Sequence, residues 1–206
     1  MAKPMFPSED SLTDGQIGKF QEIIGAALRK RRTEFLSAPA QIVLTIQAQD
    51  LQKDTLALFR KLVDAVGNII VRHVKKVDRK LTPQQVLDAT GRKQYVTNSV
   101  VETMPRGVDD EKDIYFFPVC RYVSDDEAEK EYALRGFKPA DPYSVARVNI
   151  DDPVFADTHP NGTHWKDADG NWCYAAFHRL YDERYVSVYR DDYGWRDRWW
   201  FAGVPK

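Results

Sequence analysis

The stretch NGTHWKDADGNWCYAAFHR, residues 161–179, decides how the second half of the chain folds. Asp169-Gly170 is a strong hairpin signal, because glycine accepts the positive φ that a tight turn between two strands requires. Trp165, Trp172 and Tyr174 flank this turn, and aromatic residues favour strands. The stretch therefore predicts a β-hairpin in which Trp165 roughly opposes Trp172.

The acidic run inside this stretch has the composition of a calcium loop, since hard cations bind several oxygen ligands close together. The spacing of an EF-hand loop is absent, however. If Asp167 takes the first position, Trp172 stands where the motif has glycine and His178 stands where it has glutamate. We therefore expect a turn at these residues, with no metal site and no cofactor.

Three histidines within twenty residues raise the question of an acid–base site. Alternation along a strand places the side chains of His164 and Trp165 on opposite faces, and the hairpin leaves His178 far from His164. His159, His164, His178 and Asp167 are therefore weak catalytic candidates. Because recognisable hydrolase and nucleotide-binding motifs are also missing, an enzyme is uncertain and less favoured than a protein without catalytic activity.

Outward from the hairpin, the last forty-five residues alternate between apolar and polar positions. The segments 163–167, 171–179, 183–191 and 197–204 predict a four-stranded antiparallel meander. The run 113–120 is also rich in strand formers, and Pro118 limits it to an edge strand or a bulge.

Short helices surround these strands in the sequence. Residues 81–91, 98–105, 124–136 and 141–149 carry helix start and stop signals, including Thr82, Ser124 and Asp141 as N-caps. The predicted fold class is α+β, with short helices packed on a C-terminal sheet.

The first eighty residues predict a helical bundle segment. Apolar residues recur at helical spacing over 13–36, over 39–49 and from Leu51 to Lys76, although 39–76 also fits one long helix. We expect a helical segment at 1–80 and an α+β domain at 81–206, unless the two form one continuous domain. The polar loop at 106–113 is a second candidate boundary.

Charge is distributed unevenly. Residues 1–93 hold 16 Lys and Arg against 10 Asp and Glu, whereas residues 94–206 hold 14 against 21. Two basic clusters lie in the first part, at Arg29, Lys30, Arg31 and Arg32, and at Arg72, Lys75, Lys76, Arg79 and Lys80. If three helices run up, down and up, both clusters fall at one pole and could bind nucleic-acid phosphates. They could equally be solvated helix ends that complement the helix dipole.

All five tryptophans follow position 160: Trp165, Trp172, Trp195, Trp199 and Trp200. Adjacent strand residues face opposite sides, so Trp199 and Trp200 cannot both face the same core. One of them lies on the outer face and could contact a protein partner or a second copy, unless both faces of the sheet are covered.

The chain carries no secretory signal and no segment apolar enough to span a membrane, so we expect a cytoplasmic protein that does not bind a membrane. Two cysteines, Cys120 and Cys173, fit a reducing compartment and exclude a disulfide scaffold. The leading hypothesis is a non-enzymatic binding or interaction protein that uses an aromatic sheet face or a basic helical pole. A nucleic-acid-associated protein is the alternative, and a small hydrolase is third.

Several phrases of the sequence resemble one family. They are TPQQVLDATGRKQY, VVETMPRG, EKEYALRGFKPADPY, DPVFADTHPNGTHWKDADGNWCYAAFHR and WWFAGV, within residues 82–206. They are similar to small proteins from uncultivated, reduced-genome bacteria of the candidate-phyla (Patescibacteria) type. That family has no activity, ligand or catalytic residue attached to it, so the resemblance implies a bacterial source and nothing about function.

Overall fold

A computed structural model describes residues 12–109, 112–190 and 193–206. Its internal contacts divide the chain into a helical unit, Phe6–Asp64, and a sheet unit that includes Ala65–Lys206. This division falls earlier than the boundary after residue 80 that the sequence predicts, and the polar loop at 106–109 lies inside the sheet unit. Residues 110 and 111 of that loop lie outside the described residues.

The described part of the helical unit contains three α-helices, α1 (Asp14–Lys30), α2 (Ser37–Ile46) and α3 (Ala48–Val66), which ends just beyond it. A short 3-10 helix, Arg32–Glu34, lies between α1 and α2. Thr13 forms the predicted capping box with Gln16. α2 and α3 are separate helices, because the chain leaves helical geometry at Gln47. α1 packs on α3 through the rings of Phe20 and Phe59, 4.9 Å apart. None of the residues 12–59 and 61–63 is buried, so the predicted bundle is not confirmed.

The prediction that the third helix continues to Lys76 is wrong. α3 ends at Val66, and Ile70–Val74 form a strand, β1. Gly67 and Asn68 are poor helix formers, and β-branched residues dominate the run that follows them. The apolar spacing there fits either period, and backbone pairing with another strand decides for β.

The remaining elements of the sheet unit follow in chain order. They are α4 (Pro83–Ala89), β2 (Lys93–Val96), α5 (Asn98–Val101), β3 (Lys112–Pro118), α6 (Asp125–Leu134), β4 (Phe137–Pro139), α7 (Pro142–Asp151), α8 (Phe155–Thr158), β5 (Asn161–Lys166), β6 (Trp172–Leu180), β7 (Glu183–Arg190) and β8 (Trp200–Pro205). The predicted N-caps Thr82, Ser124 and Asp141 each accept a hydrogen bond from a backbone N–H of the helix that they begin.

The strands form one open, mostly antiparallel sheet in the order β1-β3-β8-β5-β6-β7-β2, with β4 paired to β8 beside β5. The α+β class is confirmed. The predicted four-stranded meander is wrong in its fourth strand: β5, β6 and β7 are consecutive antiparallel neighbours, but β8 returns to pair with β3 and lies parallel to β5. For the strand at 113–120 the sequence predicted an edge position or a bulge, and the edge position is wrong. β3 lies between β1 and β8, and Pro118 is tolerated because it is the last residue of the strand.

Each face of the sheet has its own apolar cluster. On the inner face, α4, α5, α7 and α8 pack on residues such as Phe116, Phe177 and Val188. On the outer face, Phe117 and Phe201 contact Tyr132 of α6, the only described helix that contributes to that cluster. The outer face is therefore covered mainly over β3, β8 and β5. None of the described helices is long and apolar enough to cross a membrane.

Candidate binding site

The predicted hairpin at 161–179 is present, and its register differs by one residue from the prediction. Trp172 opposes Lys166, and Trp165 opposes Cys173. Trp165 therefore points to the inner face, where its indole donates to Thr103 Oγ1 at 3.0 Å, while Trp172 points outward. Gly170 has φ +84°, which confirms the predicted turn.

Asp167 stabilises this turn. Its carboxylate accepts hydrogen bonds from the backbone N–H groups of Asp169 and Asn171, and Arg190 donates to it from Nε and Nη2 at 3.1 and 2.9 Å. Although burial opposes ionisation, these hydrogen bonds lower the pKa of Asp167. Its contacts are those of a turn residue, and none of them is to a histidine.

His164 occupies the outer face of β5 between two carboxylates of α6. Its Nδ1 bonds Asp125, and its Nε2 lies 2.9 Å from Glu129 Oε1. An ionised carboxylate only accepts hydrogen bonds, so both ring nitrogens must carry protons for both bonds to form. The indole of Trp172 stacks on this ring, 4.6 Å away and tilted by 16°. We call Asp125, His164 and Glu129 the carboxylate–histidine triad.

The start of α6 explains why one carboxylate of the triad is buried. Ser124 caps the helix, which places Asp125 in the first turn, where the helix dipole stabilises a negative charge. Besides His164, Asp125 accepts a hydrogen bond of 2.9 Å from the indole Nε1 of Trp195. Asp125 and Glu129 are four residues apart, so they lie on one face of the helix. That spacing in the acidic run at 125–129 is the signal by which sequence analysis could have found them.

The triad shifts the titration of its own members. Burial opposes protonation of His164, but the hydrogen bonds to Asp125 and Glu129 outweigh it and raise the pKa of His164 above 6.5. In turn, the hydrogen bond from His164 lowers the pKa of Glu129, although partial burial opposes this. The triad thus ties α6 to β5 through hydrogen bonds that favour the charged form of His164.

Trp195 is the second tryptophan positioned by this link, and it is 3% exposed. Its ring lies against β5 at Gly162, where a Cβ atom would come within 2.9 Å of the indole. The residue at 162 must therefore be glycine for the ring to reach the sheet. Asp125 and Gly162 together fix the indole in one orientation.

Beside Trp195 the outer face opens into a pocket of about 290 Å³. Five aromatic side chains line it, together with Arg190 and Gly194; the five are Tyr174, Tyr189, Tyr193, Trp195 and Trp199. We call this the aromatic pocket. Strands β6 and β7 supply its floor, and the segment 193–199 supplies its wall.

Aromatic side chains continue across the outer face towards the edge strand β2. Tyr185 stacks on Tyr95 at 5.3 Å and on His178 at 5.6 Å, and His178 in turn meets Trp199 edge to face. Burial, with the positive charges of Arg198 and Arg92, lowers the pKa of His178. Its Nδ1 is buried and has no hydrogen-bond partner within the described chain.

The three candidate histidines occupy three separate environments. His164 belongs to the triad, and His178 lies beside Trp199. His159 stacks on Phe155 of the inner cluster and contacts Trp200. Among the residues that the structure describes, no group of three or more His, Cys, Asp or Glu is arranged to hold a metal ion.

The tryptophans divide between the two faces of the sheet. Trp172, Trp195 and Trp199 lie on the outer face, whereas Trp165 and Trp200 pack with the inner cluster. Trp199 is only half-buried. The expectation that one of the adjacent pair, Trp199 and Trp200, lies on the outer side is confirmed.

The second basic cluster is partly engaged within the sheet unit. Arg72 lies over the ring of Phe155 at 4.3 Å and pairs with Asp152 at 3.6 Å. Arg79 pairs with Asp141 and donates to Ser144 at 2.8 Å. The side chains of Lys75, Lys76 and Lys80 are exposed, as are those of Arg29, Lys30, Arg31 and Arg32 in the helical unit. Nucleic-acid binding through these clusters stays a prediction.

A larger cavity, about 580 Å³, lies where β3, β4 and β5 meet the start of α7. Two of its charged groups are paired with each other: Lys112 Nζ lies 3.0 Å from Asp141, which also pairs with Arg79. His164 borders it with both ring nitrogens engaged by the triad. We therefore take the aromatic pocket as the candidate binding site.

No protein-family model matches the chain, and neither the curated proteins nor the solved structures include a match to it. Function must therefore be inferred from the site itself.

Proposed function

We propose that this protein is a binding module, without a catalytic step, that receives a group of a partner molecule in the aromatic pocket. The observation that carries the proposal is the pocket itself. Five aromatic side chains converge on it from two strands and a loop that is held in place by a buried hydrogen bond. Tyrosine and tryptophan supply much of the binding energy at protein recognition surfaces.

The pocket is part of a wider outer surface. Tyr185, Tyr189 and Tyr95 of β7 and β2 belong to neither apolar cluster of the sheet. Their rings therefore contribute little to the core, although Tyr185 itself is well buried by its neighbours. A macromolecular partner would extend from the pocket onto this row, whereas a small probe that fits the pocket would touch only the pocket lining, which does not include Tyr95.

The test uses the five tryptophan indole N–H resonances in a ¹H–¹⁵N spectrum of the whole chain. Small probes are added one at a time: indole, cyclohexanol, guanidinium, tetramethylammonium, acetate and phosphate. We expect at least one aromatic, apolar or cationic probe to move the resonances of Trp195 and Trp199. Trp165 and Trp200 serve as internal references, because both pack on the inner face.

A matched pair of variants assigns the effect to the pocket. Tyr189→Leu removes one ring of the lining and should reduce the shifts, whereas Tyr95→Leu removes an exposed ring outside the pocket and should not. If no probe moves Trp195 and Trp199 more than the two reference indoles, the proposed function is wrong.

A further inference from the structure

The rings of the aromatic pocket meet at large angles. The planes of Tyr174 and Tyr189 are inclined by 48°, those of Tyr174 and Trp195 by 66°, and those of Trp195 and Trp199 by 86°. A flat ligand such as a nucleobase needs a ring parallel to it, and these three pairs form corners instead of a slot. A rounded group can contact several of these walls at once.

The electrostatics of the lining favour a cation. The face of an aromatic ring carries negative potential, so several ring faces around one cavity attract positive charge. The one arginine of the lining does not oppose this, because both Nε and Nη2 of Arg190 donate to Asp167, whose side chain is 3% exposed. The charges of Arg190 and Asp167 cancel locally.

A cation already lies over one of these rings. The guanidinium carbon of Arg198 is 5.6 Å from the ring centre of Trp199, within the range of a cation–π contact. The arginine belongs to the exposed part of the loop at 196–198. A cationic ligand at Trp199 would therefore compete with Arg198 for the same ring.

The hydrogen-bonding groups of the lining indicate how many alkyl groups a bound ammonium nitrogen carries. A primary ammonium group brings three N–H donors, which need acceptors when they leave water. The described lining consists mainly of aromatic rings, whose faces contact N-methyl groups but offer no lone pair to an N–H donor. A quaternary ammonium group has no N–H, so it loses no hydrogen bond on entry. The volume of about 290 Å³ also suits a small group, because pockets for whole drug-sized ligands begin near that size.

We infer that the aromatic pocket binds a quaternary ammonium group, as carried by free choline-like molecules or by a trimethylated lysine side chain. The inference rests on the proposed function and names the ligand chemistry of the same pocket. Tyr174, Tyr189 and Trp199 provide ring faces, and Trp195 is the wall held by Asp125.

The test compares choline with 3,3-dimethyl-1-butanol, its neutral isostere of nearly equal shape, by calorimetry and by indole shifts on the whole chain at matched ionic strength. Cation–π attraction should make choline bind about tenfold more tightly than the isostere. Equal or tighter binding of the isostere would overturn the quaternary-ammonium inference and leave the binding function intact. If neither choline nor the isostere binds while another probe moves the resonances of Trp195 and Trp199, the quaternary-ammonium inference is likewise overturned and the binding function stands.

Three variants locate the cation. Trp199→Leu should weaken choline binding about tenfold, while the distant Tyr95→Leu should leave it unchanged. Arg198→Ala removes the competing guanidinium, so choline should bind about threefold more tightly while binding of the neutral isostere stays the same. Unchanged or weaker choline binding in Arg198→Ala would count against a cation on the Trp199 ring and therefore against the inference.

Two further probes identify the source of the ammonium group. Free choline is compared with a short peptide that carries one trimethyllysine, and the same peptide with unmodified lysine is the control. Tighter binding of the trimethylated peptide than of choline would indicate a modified protein partner. The reverse order would indicate a small molecule. Equal binding of the unmodified and the trimethylated peptide would contradict the inference.

Discussion

His164 is the residue on which the outer face depends most, because it satisfies two carboxylates and stacks on Trp172. Asp125 is buried, and its partners in the folded chain include His164 and the indole of Trp195. Removing one member of a buried ion pair leaves the other charge without full compensation, which costs far more than the pair contributes as a whole. The same deletion loosens Trp195, the wall of the aromatic pocket.

We therefore expect His164→Ala to lower the free energy of unfolding by about 3 kcal/mol, measured by urea titration. His73→Ala is the matched control, because His73 pairs with Asp113 at 2.7 Å where both side chains are about half exposed. Such exposed pairs contribute about 1 kcal/mol or less. Equal losses in the two variants would contradict a buried, charged triad.

The pH dependence of stability has a definite sign. A histidine whose pKa is raised by folding stabilises the folded chain fully below its unfolded pKa of 6.5, and this contribution disappears as the pH rises through the folded value. The stability difference between wild type and His164→Ala should therefore be larger at about pH 6 than at about pH 8.5. His159 and His178 have lowered pKa values and the opposite trend, but both proteins retain them, so their effect cancels. A difference that does not change with pH would mean that His164 is not charged in the fold.

At the scale of elements, helix α6 and strand β5 build the site together. The capping box of Ser124 and Glu127 fixes the first turn of α6, which positions Asp125. Gly162 in β5 supplies the space in which Trp195 meets the sheet. The pocket thus depends on one helix end and on one strand residue without a side chain.

Ser124→Ala should lower the free energy of unfolding by about 1 kcal/mol, the usual loss for a helix N-cap. Thr82→Ala is a matched control, because Thr82 forms the same capping box at α4 on the inner face. We expect the two variants to lose similar amounts of stability. Only Ser124→Ala should also weaken the shift of the Trp195 indole resonance when a probe binds. Equal effects of both variants on binding would show that α6 does not position the pocket.

Gly162→Ala should lower stability by about 1–3 kcal/mol, because the new methyl group would lie 2.8 Å from the carbonyl oxygen of Ala175 and 2.9 Å from the Trp195 ring. Acrylamide should also quench the tryptophan fluorescence more strongly, because the Trp195 indole becomes more accessible. Gly18→Ala is the control and should raise stability slightly, since nothing lies within 4 Å of a Cβ there and alanine favours the helix. A neutral effect of Gly162→Ala would contradict the close contact between β5 and Trp195.

At the scale of the whole molecule, the core belongs to one unit. Every residue whose side chain is described as buried lies at or after Ile69. The helical unit instead exposes large apolar side chains along all three of its helices, among them Leu28, Ile46 and Leu58. A hydrophobic core supplies most of the cooperativity of folding.

We therefore expect a chain that begins at Gly67 to keep a cooperative unfolding transition and its dispersed indole resonances. A chain that ends at Asp64 should show helical circular dichroism without a cooperative transition, because none of its described residues is buried. The comparison requires thermal melts of both chains at one concentration. Loss of cooperative unfolding in the first chain would show that the division into units is wrong.

Local signals predicted the elements whose ends are marked by specific residues. Ser124, Thr82 and Asp141 each form the predicted N-cap, and Gly170 takes the positive φ of the predicted turn. These features depend on contacts within a few residues, which the sequence contains. The strand at Ile70–Val74 was missed because its apolar spacing fits a helix equally well until a partner strand is present.

The sequence by itself determined the α+β class, the hairpin and the opposition of Trp199 and Trp200, since alternation along a strand is local geometry. Only the tertiary structure decided that β8 returns between β3 and β5, because strand partners distant in sequence are selected by packing of whole faces. That same return brings Trp195 and Trp199 over β6, and the aromatic pocket arises from it. The sequence placed the aromatic residues near the end of the chain, and long-range pairing arranged them around one cavity.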